Sequence, residues 1–182
     1  MFDKVNPLRK TSIRTEPGPA IRVHSFSSRP RKGRTVIYEA HELSDAPAFA
    51  VKFFDKRHRQ SPNRFNLLLK YDEKTPFVVA DAPSIIRTGI QVMLNLLAKN
   101  PYLSFGFMGA ALPGEDQANT KRFRIYQQIM YRHFSNNDFE HLMKAEKSLY
   151  LLINRDYATD SQKMADVLAA FKKSFPDDFP DF

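Results

Sequence analysis

Residues 85–99 read Ile85-Ile-Arg-Thr-Gly-Ile-Gln-Val-Met-Leu-Asn-Leu-Leu-Ala-Lys99, and this run decides the fold. Its apolar side chains recur every three to four residues and cover most of the circumference, which is typical of a buried α-helix. The polar residues form only a narrow stripe of Thr88, Gln91, Asn95 and Lys99. We therefore expect a core helix with little exposed surface.

The flanks of this helix contain start and stop signals. Asp81 and Ser84 are residue types that cap helix N-termini, so the helix is expected to begin beside them. Asn100-Pro101 ends it, because the residue before a proline is pushed out of the α region. A strand is predicted to follow over 102–108.

Upstream of the helix, residues 64–71 alternate apolar and polar side chains, which predicts a strand with one buried face. Two more strands are predicted over 35–43 and 49–55 by the same reasoning. With short connections between them, the three strands are expected to form an antiparallel meander.

The C-terminal half is expected to add three helices and one strand. A helix capped by Asn119 or Thr120 is predicted to run to Phe134, followed by a short helix over 139–147 and a strand over 149–154. The last helix is predicted to start near Thr159, with Gln162 completing a capping box.

These elements predict an α+β fold. The expected core is an antiparallel sheet of about four to six strands, packed by the central helix and one or two further helices. Residues 1–33 are interpreted as a basic, irregular N-terminal arm, 34–174 as a single α+β domain, and 175–182 as an acidic and aromatic C-terminal tip. Within the arm, Ile21, Val23 and Phe26 could form one short edge strand.

The positive charge of the chain is concentrated at its N-terminal end. The net charge is +8, and residues 1–34 carry nine Lys or Arg against Asp3 and Glu16, a net of +7. A polybasic segment attracts anionic polymers because it releases their condensed counterions, so nucleic acid is the first partner to consider. The alternative is a tail that only promotes solubility.

Three groups of basic residues are candidate phosphate contacts: the arm, the segment after the second strand, and one face of the helix at 120–134. The nucleic-acid-binding candidates are Arg29, Arg31, Lys32, Arg34, Lys56, Arg57, Arg59, Arg64, Lys121, Arg124 and Arg132. Each group has a structural alternative, which is an ordinary solvated surface.

Aromatic residues lie next to several of these cations, as Phe53 and Phe54 do before Lys56. Base stacking on an aromatic ring beside a phosphate-pairing cation is typical of proteins that bind single strands. Because side chains alternate along a strand, only one of Phe53 and Phe54 is expected to face outward.

Signals for catalysis are missing from the sequence. There are no cysteines, the five histidines are scattered, and no glycine-rich phosphate loop is present. We therefore predict no metal site, no cofactor and no enzymatic activity, with a metal-dependent nuclease as the remaining enzyme class. With no apolar stretch suited to a signal peptide or a membrane span, the expected location is the cytoplasm.

One resemblance covers residues 64–134. The run Phe65-Asn66-Leu67, the helix, Asn100-Pro101, a strand ending at Gly109, and Lys121-Arg-Phe-Arg-Ile-Tyr126 resemble a bacterial family of small α+β domains of unknown function. The chain departs from that pattern with Gly109-Ala110-Ala111 where the family has Gly-Ser-Thr. The resemblance implies a fold and no chemistry.

A second resemblance concerns the last six residues, which are similar to the acidic tip of bacterial and phage single-stranded DNA-binding proteins. It implies that the tip docks partner proteins. The residues it would use are Asp177, Asp178, Phe179, Asp181 and Phe182. A frayed tail is the alternative.

The sequence favours a non-enzymatic nucleic-acid-binding protein, with single-stranded DNA as the expected ligand. The alternative is an accessory or inhibitory protein of a phage or mobile element, whose basic arm binds an acidic protein. The choice between DNA and RNA and the oligomeric state stay open at this point.

Overall fold

The computed structural model describes residues 6–16, 21–31, 34–67, 78–111 and 114–176. Its strands are β1 Arg9–Glu16, β2 Ile21–Arg31, β3 Arg34–Glu42, β4 Ala48–Asp55, β5 Ser104–Met108, β6 Phe139–Lys144 and β7 Leu149–Asn154. Its helices are α1 Arg64–Leu67, α2 Val78–Leu97, α3 Lys121–His133, α4 Arg155–Ala158 and α5 Ser161–Ser174, with 3₁₀ turns at Lys56–His58 and Ala145–Lys147.

The described strands form one sheet in the order β1-β2-β3-β4-β5-β7-β6. The pairs from β1 to β4 are antiparallel, as are β5 with β7 and β7 with β6. β4 and β5 pair in parallel, and the chain between them carries α1 and α2. The α+β class is thus confirmed, but seven described strands exceed the four to six predicted, and the sheet is mixed.

The helix α2 packs on one face of the sheet, as its apolar pattern predicts. Ile85, Val92 and Met93 are at most 1% exposed and belong to a core that also includes residues of β3, β4, β5 and α3. Thr88 differs from the prediction of an outward polar stripe, because it is fully buried. Its hydroxyl donates to the Ser84 carbonyl and accepts from the backbone N–H of Asn6.

The start of α2 differs from the prediction. The helix already includes Val78 to Ser84, so neither Asp81 nor Ser84 caps it. The predicted end is confirmed, since α2 stops at Leu97 just before Asn100-Pro101. A pattern of cap residues shows where a helix can begin, but here the helix continues upstream through Val78, Val79, Asp81 and Pro83. None of these four is a strong helix former, so local propensity does not explain the earlier start.

The helix α5 packs on the opposite face of the sheet. Phe171 is fully buried there among Leu149, Leu151 and Ile153 of β7. α5 is capped by Asp160 rather than Thr159, with the carboxylate accepting from the N–H groups of Gln162 and Lys163. The sheet therefore has helices on both faces, which explains why β7 is buried along its whole length.

The prediction of an irregular arm over 1–33 is wrong for most of its length. β1 and β2 form an antiparallel pair, and β2 continues the sheet through its pairing with β3. Val23 is fully buried and Phe26 is 8% exposed. The one short edge strand expected near Ile21, Val23 and Phe26 is part of a longer strand, and a second strand lies beside it. An edge hairpin tolerates many charged side chains on its open side, so the basic composition does not prevent strand formation.

Two predictions of element type are wrong. Residues 64–67 form helix α1 instead of a strand, and 139–144 form strand β6 instead of a helix. Residues 68–71, the rest of the predicted strand, lie outside the described residues. For β6, tertiary pairing overrides a short local pattern, because its register with β7 fixes it as a strand.

The remaining element predictions are confirmed. β3, β4 and β7 occur where the alternation places them, and α3 begins after its Thr120 cap. No described helix has both the length and the apolar content needed to cross a bilayer.

Candidate nucleic-acid interface

A cleft opens where the parallel strands β4 and β5 separate. Their pairing ends at Ala50 and Gly106, after which β4 stays with β3 and β5 stays with β7. The gap between them encloses about 330 Å³. In open parallel α/β sheets, ligand sites lie at the carboxyl ends of strands that separate, and the single parallel pair of this sheet offers the same local geometry. The β4–β5 cleft is lined by Ala50, Val51, Lys52, Phe53, Phe65, Gly106, Phe107, Met108, Ala110, Gln117, Arg122, Tyr126 and Lys147.

Aromatic rings form one wall of the β4–β5 cleft. Phe53 and Phe107 each meet Tyr126 edge to face, with ring centroids 5.9 and 5.3 Å apart. Phe107 also stacks on Tyr150 at 5.0 Å. These contacts hold each ring in a fixed orientation, so the wall is preorganised to receive a flat ligand.

Cations are distributed around the same space. Lys52, Arg122 and Lys147 line it, and among the described residues no carboxylate does. The Lys52 ammonium lies over the rings of Phe65 and Phe175, at 5.5 and 4.2 Å from their centroids. The cleft therefore combines an apolar wall with a net positive charge, which suits an anionic aromatic ligand.

Arg122 connects the two helices that border the cleft. Its side chain is 4% exposed, and its Nη1 donates to the Phe65 carbonyl of α1 at 2.5 Å. Burial lowers the pKa of Arg122, while Tyr126 and Glu115 act in the opposite direction. Because a guanidinium stays protonated in proteins, Arg122 is a buried positive charge beside the cleft.

The start of α3 is fixed against the end of β5. The Thr120 hydroxyl donates to the Gly109 carbonyl at 2.7 Å and accepts from the Phe123 N–H at 3.2 Å. The Thr120 N–H donates to the Ser148 hydroxyl at 2.9 Å. These bonds hold the first turn of α3, and with it Arg122, at the edge of the cleft.

The basic segment after the second predicted strand, residues 56–64, does not join two strands as the expected meander required. It is a 3₁₀ turn leading into α1, with Lys56 and Arg59 exposed. The Arg57 guanidinium instead binds the Asp55 carboxylate, at 3.1 Å through Nε and 2.9 Å through Nη2. Arg64 covers the rings of Phe54 and Phe65, at 5.2 and 4.6 Å.

Arg34 has a structural position rather than a surface one. It is 6% exposed, and its Nε lies 3.0 Å from the carboxylate of Asp55, which is 1% exposed. Burial acts to raise the pKa of Asp55, but the hydrogen bonds and charges of Arg57 together with the charge of Arg34 lower it overall. Arg34 is therefore left out of the candidate interface.

The other predicted residues divide into exposed and undescribed positions. Lys121, Arg124 and Arg132 are exposed on α3, as is Arg29 on β2. The side chain of Arg31, residue Lys32 and residues 177–182, which include the predicted partner-binding tip, lie outside the described residues. Arg124 also donates to the Asn119 carbonyl.

The structure decides between the two neighbouring phenylalanines of β4. Phe54 is 1% exposed and packs against Phe65, whereas Phe53 is half-buried and lines the cleft. Phe53 is thus the ring available to a ligand.

Three cleft cations were missed at the sequence level: Lys52, Arg122 and Lys147. Lys52 did carry a signal, because it interrupts the otherwise apolar run of β4. Arg122 and Lys147 carried none, since each sits in a mixed polar segment whose fold was needed to place it. Their convergence depends on the separation of β4 from β5, which no local pattern indicates.

Within the described ranges, no three His, Asp or Glu side chains cluster closely enough to hold a metal ion. No family model, curated protein or solved structure matches this chain. The function is therefore argued from the geometry of the cleft and its borders.

Proposed function

We propose that this chain is a non-enzymatic protein that binds single-stranded nucleic acid across the β4–β5 cleft. The main support is the hydrogen bond from Arg122 to the Phe65 carbonyl, because it joins α3 to α1 at the cleft. The segment with Lys56 and Arg59 leads into α1, and Lys121 and Arg124 flank Arg122 on α3. Cations thus border the cleft on two sides.

Single strands fit this arrangement better than a duplex. The rings of Phe53 and Phe107 lie inside a cleft, where only an unpaired base can reach them. A base stacked in a duplex presents its edge to a protein and keeps its faces covered. Exposed cations on both sides of the cleft then contact the phosphates before and after the bound base.

A charge-reversal experiment tests this surface. The double variant Lys56→Glu with Arg59→Glu should weaken binding of a labelled single-stranded oligonucleotide by about 10-fold or more in low salt, because two phosphate contacts are lost. Fluorescence anisotropy of the oligonucleotide measures the affinity.

The matched control is Lys99→Glu with Lys163→Glu, which changes the net charge by the same amount. Both residues are exposed and lie away from the cleft, Lys99 just beyond the end of α2 and Lys163 in the first turn of α5. The control variant should bind the oligonucleotide about threefold more weakly at most, through the change in the overall electrostatic field of the protein. An equal loss of oligonucleotide affinity in the two variants, or no loss in either, would contradict the proposal that these cations border the binding site.

A further inference from the structure

We infer that the β4–β5 cleft is a pocket for one nucleotide, with the base against Phe53 and Phe107 and its phosphate near Lys52, Arg122 and Lys147. The inference deepens the proposed function and rests on it for the class of ligand. It adds a defined subsite, because binding along a basic surface alone does not require a cleft.

The size of the cleft limits what it can hold. At about 330 Å³ it is at the small end of the range for small-molecule sites, about 300–1,000 Å³. A space of this size accepts one nucleotide and excludes a run of stacked bases. Nucleotides before and after the bound one must then lie outside, over the exposed residues of α3 and of the 3₁₀ turn at Lys56–His58.

The wall favours a planar ring over an aliphatic chain. Phe53, Phe65, Phe107 and Tyr126 contribute ring surfaces to the lining. Phe53 is held between Tyr38 and Tyr126, with centroids 5.9 Å from each. A heteroaromatic base stacks on such rings whatever its identity, whereas an acyl chain gains nothing from their orientation.

Polar groups in the lining match the rest of a nucleotide. Lys52 and Arg122 are cations with restricted positions, because Lys52 lies over two rings and Arg122 is buried. Lys147 is exposed on its 3₁₀ turn and is free to approach a phosphate from solvent. Gln117 adds an amide that can donate to and accept from a base edge.

Isothermal titration calorimetry of the full chain in low salt tests the inference with AMP and CMP. We expect both monophosphates to bind with a dissociation constant on the order of 10 µM. Adenosine and inorganic phosphate should each bind at least about 10-fold more weakly, because each lacks one half of the contacts.

Two variants locate the binding. Phe53→Leu should weaken AMP binding about 5- to 100-fold through loss of ring stacking. Lys147→Gln, at an exposed position where misfolding is not a concern, should weaken it about 2- to 5-fold. The matched controls are Tyr102→Leu and Lys99→Gln, exposed residues before β5 at its opposite end, and both should leave AMP affinity unchanged.

The outcomes separate this inference from the proposed function. If oligonucleotides bind but the monophosphates do not, and Phe53→Leu leaves oligonucleotide affinity unchanged, the nucleotide pocket is wrong and the basic surface stands. If the monophosphates bind and oligonucleotides do not, the pocket stands and the proposed function is wrong. Binding of decanoate without binding of AMP would also overturn the inference, because it would identify a lipid site.

Discussion

Asp55 shows how one buried carboxylate can pair with arginines that the sequence suggests as phosphate contacts. It is 1% exposed and pairs with the buried Arg34 and with Arg57, whose side chain is 58% exposed, so two of the predicted phosphate contacts already have a carboxylate partner. A basic side chain is available to a ligand only when it does not form an ion pair with a carboxylate of the protein. Local sequence places Asp55 beside Arg57, but the approach of Arg34 depends on the pairing of β3 with β4.

Asp55→Asn should lower the free energy of unfolding by about 3 kcal/mol, because it leaves the buried Arg34 guanidinium without its compensating charge. Urea denaturation at pH 7 measures the change. The matched control is Asp45→Asn, which removes an exposed pair with Lys173 at 2.6 Å and should leave the free energy of unfolding nearly unchanged, because solvent screens the pair. Similar losses in the two variants would contradict the structural role of Asp55.

The ion pair between Asp55 and Arg34 predicts that the free energy of unfolding depends on pH. The pKa of Asp55 in the folded protein lies below its ordinary value of 3.8, so folding favours the ionised form. Its stabilisation is complete above the unfolded-state pKa and is lost as the pH falls through the lower folded-state pKa. The stability difference between wild type and Asp55→Asn should therefore be constant from about pH 5 to 8 and shrink below about pH 4.

At the scale of elements, the junction between β5 and α3 determines the shape of the cleft. β5 supplies Phe107 and α3 supplies Arg122 and Tyr126, and the two elements meet closely at Gly109. A Cβ atom at Gly109 would lie 2.6 Å from the backbone nitrogen of Phe123 and 2.6 Å from the Thr120 hydroxyl. A backbone atom cannot rotate away, so α3 would have to move.

Gly109→Ala should therefore lower the free energy of unfolding by about 1–3 kcal/mol and weaken nucleotide binding. Gly89→Ala is the matched control on α2, where the added Cβ would meet only ring atoms of Tyr38 and Phe53 at 3.8–3.9 Å. The free energy of unfolding of the control variant should rise by about 0.5–1 kcal/mol, because alanine has a higher helix propensity than glycine. Thermal and urea unfolding distinguish the two, and a neutral Gly109→Ala would show that the junction is loose.

Elements with strong local patterns were predictable, and those defined by distant partners were not. α2 has a long apolar period, and Thr120 caps α3 as its residue type indicates. β6 has the composition of a short helix and becomes a strand because β7 lies beside it. α1 is a helix of only four residues, too short for its alternation to be distinguished from a strand.

At the scale of the whole molecule, the parallel pairing of β4 with β5 is the feature that creates the candidate site. The predicted contacts Arg59 and Lys121 are exposed, but their role in binding stays a prediction. The expected antiparallel meander contained no parallel pair, so it did not indicate this cleft. The choice of strand neighbours is a global property, because each strand has two edges and local alternation specifies neither. The acidic tip at 177–182 and a cytoplasmic location stay predictions.

The most direct test of the account is the affinity of the wild-type chain for a single-stranded oligonucleotide as salt is increased. With four exposed cations at the cleft border, Lys56, Arg59, Lys121 and Arg124, the logarithm of the binding constant should fall with the logarithm of salt with a slope of about −3. A duplex of the same sequence should bind more weakly. Absence of binding in low salt, or an affinity that does not change with salt, would contradict the account.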